Sequence, residues 1–229
     1  MKKKLFYEKN YLENNPSWHS EDSYFKSNII QKIIKNNKIK FKNFCEVGCG
    51  VGKIIENISL NYKKKSFFGY EISKTAYKMC NKKLKNVKYF NKSIEGINKK
   101  FDIILCADVL EHVENPYLFL RNIKKKSKFQ IFHVPLDLSV NSILRKSILL
   151  NVRENVGHLH LYTKDLILHD LKKSDFEIID YYYTFNPNIY KSGTYLQKFI
   201  AVIRNFFSFF NKDLAANLLG GYSVLILTK

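Results

Sequence analysis

Residues 44–52 read Phe-Cys-Glu-Val-Gly-Cys-Gly-Val-Gly and give the strongest indication of the fold class. An apolar run typical of a short strand leads directly into glycines at positions 48, 50 and 52. Glycine has no Cβ atom, so it permits a tight turn and the close approach of a ligand. A helix predicted over 53–61 would present its unpaired N–H groups to polar atoms of that ligand. The stretch predicts either a ligand-binding strand–loop–helix unit or an ordinary glycine-rich turn.

Strands and helices alternate on both sides of this stretch. Apolar runs predict strands at 44–47, 66–71, 87–90, 101–107, 129–134, 176–185 and 223–228. Helical spacing and capping residues predict helices at 21–37, 53–61, 73–83, 116–126 and 163–173, and an aromatic helical segment at 190–213. Ser20 or Asp22 is expected to cap the first helix, and Pro135 to stop the fifth strand. The alternation predicts a parallel sheet with helices on both faces, to which a final hairpin-like pair adds an antiparallel edge strand.

The chain is strongly basic. Lys and Arg number 39 against 20 Asp and Glu, a formal net charge of +19. Four of these 39 residues are Arg, and the chain is rich in Lys, Asn and Ile. This composition is typical of an AT-rich genome. A solvated, compositionally biased surface is the plainest interpretation. Attraction to an anionic acceptor, nucleic acid or anionic lipid is the alternative.

Cysteine usage and hydropathy bear on compartment and metal content. The four cysteines form no C-x-x-C pair, so no zinc site is indicated and no metal is expected. Their spacing does not suggest a disulfide framework. The sequence shows neither a signal peptide nor an apolar span of about 20 residues. A cytoplasmic protein is therefore expected.

Two phosphate-binding motifs match this loop incompletely. A dinucleotide-binding G-x-G-x-x-G that starts at Gly48 would need glycine where Lys53 stands. A nucleotide P-loop that ends at Gly52-Lys53 would need glycine in place of Val47, and Ser or Thr in place of Ile54. An NAD-dependent or nucleotide-sugar enzyme is therefore disfavoured.

A second motif ends the next predicted strand, where Glu71 lies 19 residues beyond Gly52. A carboxylate there can accept hydrogen bonds from both hydroxyls of a ribose, although a place beside a helix cap is the simpler role. Three further segments follow: 101–113 around the fourth strand, Val134-Pro135, and Gly-His-Leu-His-Leu-Tyr-Thr at 157–163. In this order the motifs resemble class I S-adenosylmethionine-dependent methyltransferases over roughly residues 40–185, most closely the small-molecule branch with ubiquinone-biosynthesis-type O-methyltransferases.

The resemblance implies an α/β fold: a Rossmann-like, doubly wound, seven-stranded, mostly parallel sheet with an antiparallel edge strand. It implies a single methyltransferase domain over 1–229, a length that fits one domain. We divide it into an N-terminal helical segment (1–40), a cofactor-binding half (41–135) and a substrate-side half (136–229). The last part contains an insertion at 136–160 and a C-terminal cap. The insertion is expected near the carboxyl ends of the strands, where open α/β sheets bind ligands.

The resemblance also implies a site for S-adenosylmethionine, with S-adenosylhomocysteine as product. The residues implied to contact the cofactor are Glu46, Gly48, Cys49, Gly50, Gly52, Glu71, Ile72, Ser93, Ile94, Asp108 and Val109. The glycines would pass beneath the cofactor, Glu46 would orient their loop and Glu71 would hold the ribose. Ile72 would pack on the adenine, while Asp108 and Val109 would lie beside the sulfonium. Ser93 stands where the family often has an acidic residue for the adenine amine, so adenine recognition would rest on backbone groups.

Two histidines are candidate catalytic bases. Histidine suits proton removal because its unperturbed pKa of about 6.5 leaves a neutral base near pH 7. His112 follows the fourth strand and His158 precedes the sixth-strand unit, so both are expected at the carboxyl edge of the sheet. His133 lies inside the fifth strand, where a structural role is expected. The alternative is that proximity of the reactants suffices without a base.

The aromatic segment 190–213 allows two interpretations. In the first it covers the sheet or a dimer interface. In the second it is an interfacial amphipathic helix in peripheral contact with a membrane, which would suit a lipid-linked acceptor. Its expected apolar face is Phe199, Ile203, Phe206, Phe207 and Phe210, with Lys198, Arg204 and Lys212 near anionic head groups.

Together these observations predict a methyltransferase whose small-molecule acceptor lies between the N-terminal helix, the insertion and the C-terminal cap. O-methylation of a metabolite, a sugar or a phosphorylated precursor of a bacterial surface glycan is favoured, by a monomer or homodimer. RNA or protein methylation and a non-catalytic cofactor-binding scaffold are the alternatives. Nucleic acid is disfavoured because neither an appended basic domain nor an Asn-Pro-Pro-Tyr-type motif is seen.

Overall fold

The computed structural model describes residues 20–185 and 195–229. The strands in these ranges are β1 (Asn43–Val47), β2 (Ser66–Tyr70), β3 (Val87–Phe90), β4 (Phe101–Ala107), β5 (Ser127–Leu136), β6 (Ile178–Thr184) and β7 (Tyr222–Thr228). The α-helices are α1 (Ser23–Asn36), α2 (Lys53–Asn61), α3 (Lys74–Met79), α4 (Pro116–Lys124), α5 (Val140–Leu144), α6 (Lys146–Asn151), α7 (Lys164–Lys173), α8 (Tyr195–Phe210) and α9 (Lys212–Leu219). Short 3₁₀ turns span Ser20–Asp22 and Leu110–His112, and a π-helical turn spans Val152–Val156.

The strands form one seven-stranded sheet in the order β3-β2-β1-β4-β5-β7-β6. The first five strands pair in parallel, and β7 pairs antiparallel with both β5 and β6. The predicted α/β, Rossmann-like, mostly parallel sheet is confirmed. The antiparallel strand itself lies one position inside the edge, because β7 returns between β5 and β6 after the long connection through α8 and α9.

The fifth strand does not stop at Pro135, as was predicted; it continues to Leu136. The neighbouring strand β4 ends where Ala107 pairs with His133, so Pro135 has a partner strand on one side alone. On that side Pro135 pairs with Ser223 of β7. The missing N–H of proline is tolerated there, where a full ladder on both sides is not required.

Three helices differ from their predicted forms. Asp22 occupies the N-cap of α1 without a side-chain capping bond, because it belongs to the preceding 3₁₀ turn and has helical rather than extended dihedral angles. Helix α3 ends at Met79 instead of 83, since Cys80 is extended. The predicted segment 190–213 is divided at Asn211, whose side chain accepts the Leu214 N–H and starts α9. Residues 190–194 lie outside the described residues.

The core lies on both faces of the sheet. On β4, Ile104 and Cys106 point into one apolar cluster while Ile103 and Leu105 point into the other, and all four are fully or almost fully buried. This alternation on a continuous apolar run is expected for a parallel strand covered by helices on both sides. Among the helices described, none has the length and apolarity that crossing a bilayer requires.

Candidate active site

A cavity of about 460 Å³ lies at the carboxyl ends of β1, β2 and β4. This is the end of the sheet at which open α/β folds bind ligands. Its walls come from α1, the loop after β1, the end of β2, residues 92–95 and residues 107–114. No lining residue comes from 136–160, so the insertion takes no direct part in this cavity.

The loop after β1 forms the floor of the cavity. Gly48, Gly50 and Gly52 have φ angles of +65°, +53° and +78°, in the left-handed region that disfavours other residues. A Cβ atom at Gly48 would lie 2.8 Å from Val109 Cγ2, and one at Gly52 would lie 2.6 Å from Tyr89 Cε1. At Gly50, apart from its chain neighbours, no atom of the described residues lies within 4 Å of such a Cβ. The first and third glycines therefore allow close packing, and the second presents bare backbone to open space.

Two carboxyl groups hold this loop in place. Glu46 Oε2 accepts the N–H of Ile55 in the first turn of α2 (3.1 Å), and burial raises the pKa of Glu46 well above its usual range. Glu71 Oε2 accepts the Gly50 N–H (2.8 Å) and Oε1 accepts the Ser73 N–H (2.7 Å). Burial also raises the pKa of Glu71, although these backbone donors oppose the shift. Both side chains line the cavity, where each carboxylate oxygen has a second lone pair for a ligand.

The side wall carries the residues assigned to the adenine. Ile72 is 64% exposed yet lines the cavity, so a flat apolar ligand could cover it. Ile94 is buried, Ser93 is exposed, and both line the cavity. Cys49 is a buried lining residue between two of the loop glycines.

The opposite wall is built around Asp108, which has a left-handed φ of +52°. Its carboxylate accepts Lys26 Nζ (2.5 Å) and His133 Nδ1 (2.6 Å), and His133 Nε2 hydrogen-bonds to Thr184 Oγ1 (3.0 Å). Burial alone would raise the pKa of Asp108, but the charges and hydrogen bonds of Lys26 and His133 outweigh it and hold that pKa well below the usual range. Asp108, its neighbour Val109 and Lys26 all line the cavity.

Sequence reasoning missed Lys26. Its partner Asp108 is 82 positions away, so no local motif joins the two residues. A signal was nevertheless present. Lys26 lies three residues after Ser23 and four before Ile30, both buried, which places it on the inward face of α1.

The two candidate bases occupy different positions. His112 lines the cavity, and its Nδ1 donates to the Gly157 carbonyl (3.0 Å). His158 is buried, its Nδ1 donates to Asp137 Oδ2 (2.7 Å), and it is not among the cavity-lining residues. The two rings meet edge-on, with centroids 4.9 Å apart. His158 therefore contacts the cavity-lining His112 but does not itself line the cavity.

Backbone pairing brings these distant segments together. The N–H groups of Leu159 and His160 donate to the Glu111 carbonyl at 2.8 and 3.1 Å. The Glu111 side chain is fully buried, with Oε1 4.0 Å from His158 Nε2 and no hydrogen-bond partner for either oxygen among the described residues. In the described part of the chain, Glu111, His112 and His158 are the set whose donor atoms are close enough to hold a metal ion, within 4.8 Å of one another. No metal was expected from the sequence. Metal-binding measurements on this chain would test these three residues.

Comparison with known proteins identifies relatives of two kinds. Over 112 residues the chain is 30% identical to the ubiquinone biosynthesis O-methyltransferase of Rickettsia bellii (strain OSU 85-389), covering 44% of each protein. The chain thus spans less than half the length of this relative. Over 164 residues it is 29% identical to the tRNA (guanine-N(7)-)-methyltransferase of Mesoplasma florum, covering 65% of this chain and 70% of that protein.

Solved structures share the fold at low sequence identity. The magnesium protoporphyrin IX methyltransferase of Synechocystis PCC 6803 with bound S-adenosylhomocysteine matches with a TM-score of 0.58 and 14% identity, over 92% of this chain and 82% of that one. The plantazolicin methyltransferase BpumL, also with that product, matches with a TM-score of 0.57 and 18% identity, over 100% and 91%. The sequence profile described as methyltransferase domain matches residues 18–181, well over half of the chain. The chain therefore belongs to the methyltransferase domain family, whose class I fold uses S-adenosylmethionine.

Proposed function

We propose that this chain transfers the methyl group of S-adenosylmethionine to a small-molecule acceptor and releases S-adenosylhomocysteine. The observation that carries the proposal is the loop after β1. Its three glycines have left-handed backbone, and Glu71 binds the Gly50 N–H from the next strand at the rim of the same cavity. The backbone at Gly50 therefore faces the cavity without a side chain, and a ligand with both polar and apolar parts can lie against it.

The residues present fit this cofactor. Within the part of the chain that the structure describes, only the chain neighbours of Gly50 lie within 4 Å of a Cβ built there, so the loop leaves room above its backbone. Glu71 offers carboxylate oxygens for the ribose hydroxyls, and Ile72 offers an exposed apolar side chain for the adenine. The volume of about 460 Å³ falls within the range of about 300–1,000 Å³ usual for ligand pockets.

The cofactor supplies an electrophilic methyl group on a sulfonium, so the chain needs mainly to align the acceptor and accept a proton. His112 is the proposed proton acceptor, because it lines the cavity beside residues 107–109. A neutral histidine that donates from Nδ1 carries its lone pair on Nε2. The Nδ1 bond to Gly157 favours that tautomer. His158 and Asp137 would position the His112 ring from behind.

The acceptor class is inferred from the relatives and from the charge of the chain. The O-methyltransferase relatives support transfer to oxygen, and the net charge of +19 supports an anionic acceptor such as a phosphorylated metabolite or sugar. A precursor of a bacterial surface glycan satisfies both conditions. A cytoplasmic location agrees with four buried cysteines that form no disulfide with one another.

Calorimetric titration with S-adenosylmethionine and S-adenosylhomocysteine, with NAD as the control ligand, tests the cofactor assignment. We expect binding of the two methionine-derived ligands and none of NAD. Failure of a folded protein to bind either of them would overturn the proposal.

RNA methylation is a second candidate. The observation that favours it is the 29% identity to a tRNA methyltransferase over 70% of that protein, together with the basic surface. Incubation with labelled cofactor and either total tRNA or a small-molecule extract separates the two classes. Label in nuclease-sensitive material would favour RNA, whereas label in the small-molecule fraction would favour the main proposal.

A further inference from the structure

Helix α8 exposes a row of large apolar side chains. Phe206, Phe209 and Phe210 are 63%, 86% and 70% exposed, and Phe199 and Val202 are 62% and 59% exposed. Together with Tyr195, these residues recur every three or four positions and so occupy one side of the helix. We call these six residues the aromatic face.

The other side of α8 attaches the helix to the domain. Ala201 is fully buried, and Arg204 is 7% exposed. The Arg204 guanidinium lies over the rings of Phe185 and Tyr222 at 5.5 and 5.9 Å, and the Tyr222 hydroxyl donates to the Arg204 carbonyl (3.3 Å). The expectation that Arg204 contacts head groups is therefore wrong, because its side chain is buried and packs against the rings of Phe185 and Tyr222.

The aromatic face is continuous near the end of the helix. The rings of Phe206 and Phe210 are 5.2 Å apart, and those of Phe209 and Phe210 are 5.5 Å apart. Monomeric soluble proteins rarely expose large contiguous apolar patches, and those that exist usually mark an interaction site. The aromatic face is therefore expected to be covered by a binding partner.

Charge distinguishes between the candidate occupants. Residues 186–211 contain no Asp or Glu, while Lys198 lies within α8 and the exposed Lys212 follows it. Nearby Asp213 is neutralised by Lys164, whose Nζ lies 2.6 Å from it. A second copy would bring another chain of charge +19 and the same lysines against this face. An anionic lipid surface would instead complement both the apolar side chains and the charge.

We propose that α8 lies in the surface of an anionic bilayer, with the aromatic face at the boundary between head groups and acyl chains. A helix of 16 residues extends about 24 Å, which is too short to cross the apolar core but suits an in-plane position. Phe206, Phe209 and Phe210 supply the apolar contact, while Lys198 and Lys212 face phosphate groups. None of these residues lines the cofactor cavity, so the proposal stands independently of the methyl transfer.

Co-sedimentation with vesicles tests this directly. The wild-type chain should bind vesicles that contain phosphatidylglycerol at least about tenfold more tightly than pure phosphatidylcholine, and raised salt should weaken that binding. The double variant Phe209→Ser/Phe210→Ser should lose at least about tenfold in affinity for the anionic vesicles. The matched control is Leu60→Ser/Met79→Ser, which removes two apolar side chains that are 51% and 53% exposed on α2 and α3. The control should bind as the wild type does.

Several outcomes would overturn the proposal. Equal loss in both double variants would mean that general surface apolarity matters, and equal binding to neutral vesicles would remove the role of charge. A wild-type dimer in analytical ultracentrifugation, made monomeric by Phe209→Ser/Phe210→Ser and without affinity for vesicles, would assign the face to a second copy. An unchanged melting temperature of the variant shows that it is folded, and because this control does not use the cofactor it keeps the test separate from that of the proposed function.

Discussion

The two walls of the cavity are held together in different ways. On the cofactor wall, Glu71 binds the backbone of Gly50 at a distance of 21 positions, and Glu46 binds Ile55 nine positions away. On the opposite wall, Asp108 is bound by the Lys26 side chain, 82 positions away, and by that of His133. The first wall is a backbone structure held by nearby carboxylates, and the second is a side-chain network assembled from distant elements.

This difference has consequences for what each wall tolerates. Left-handed backbone disfavours other residues at these glycines, and a Cβ atom at Gly48 or Gly52 would also clash, so single substitutions should disrupt the cofactor wall. A network of paired charges shares its free energy among several groups, so the opposite wall should weaken in steps. Variants on the two walls can therefore be compared directly.

The largest effect is expected for Gly50→Arg, which places a long side chain in the open space above the loop. We expect a loss of at least about 100-fold in S-adenosylmethionine affinity by calorimetry. Gly50→Ala adds a single methyl group, for which there is space, and so separates backbone strain from obstruction. The φ of +53° costs about 1–2 kcal/mol for a residue with a side chain. Gly96→Ala is the matched control, because Gly96 also has open space at its Cβ position but no positive φ. Normal affinity in Gly50→Arg would contradict the site assignment.

Next, His112→Ala should lower turnover by about 100-fold or more, because it removes the proposed proton acceptor. His158→Ala should lower turnover less, because its ring acts on the cavity through His112. Formation of S-adenosylhomocysteine with an accepted substrate measures both, and calorimetry should show unchanged cofactor affinity. The exposed His169→Ala on α7 is the control. Full turnover in His112→Ala would leave proximity of the reactants as the source of catalysis.

Asp108→Asn should lower the free energy of unfolding by about 2 kcal/mol at neutral pH, because it weakens the bonds to Lys26 and His133. The folded-state pKa of Asp108 lies well below the unfolded value of about 3.9, because Lys26 and His133 outweigh the burial that opposes ionisation. Its contribution is therefore present above the unfolded pKa and lost as the pH falls through the folded one. In urea unfolding, the difference between wild type and variant should shrink below about pH 4. Asp165→Asn, at a side chain 73% exposed, should change stability little at any pH.

The smallest effect is expected for Ile72→Ser on the side wall. Loss of apolar contact with the adenine should weaken S-adenosylmethionine binding about fivefold, close to 1 kcal/mol. The melting temperature should hardly change, because Ile72 is 64% exposed in the unliganded chain. A large loss of stability would mean that Ile72 supports the fold instead of the ligand.

Much of the cofactor wall could be predicted from the sequence. The strand β1, the glycines, the helix α2 over Lys53–Asn61 and the position of Glu71 all lie where their motifs indicated. These features depend on local backbone geometry and on the order of strands, which a sequence records directly. The resemblance to methyltransferases depended on the same features.

The other wall was predicted in part. Asp108 and His112 were placed at the end of the fourth strand, where they line the cavity. His133 was assigned a structural role, yet its imidazole binds the carboxylate of a cavity residue. His158 was expected in the cleft; it does not line the cavity and instead contacts the His112 ring edge-on. Pairings of this kind depend on which distant side chains meet when helices and strands pack.

The alternation of strands and helices, the left-handed glycine loop and the carboxylate that faces it follow from local sequence patterns. The insertion of β7 between β5 and β6, the pairing of Lys26 with Asp108 and the burial of the Arg204 side chain on the inner side of α8 follow only from the packing of the folded chain. The physical reason is the range of the interactions. Backbone conformation and apolar period are properties of neighbouring residues, whereas burial and charge pairing are settled only when remote segments come into contact.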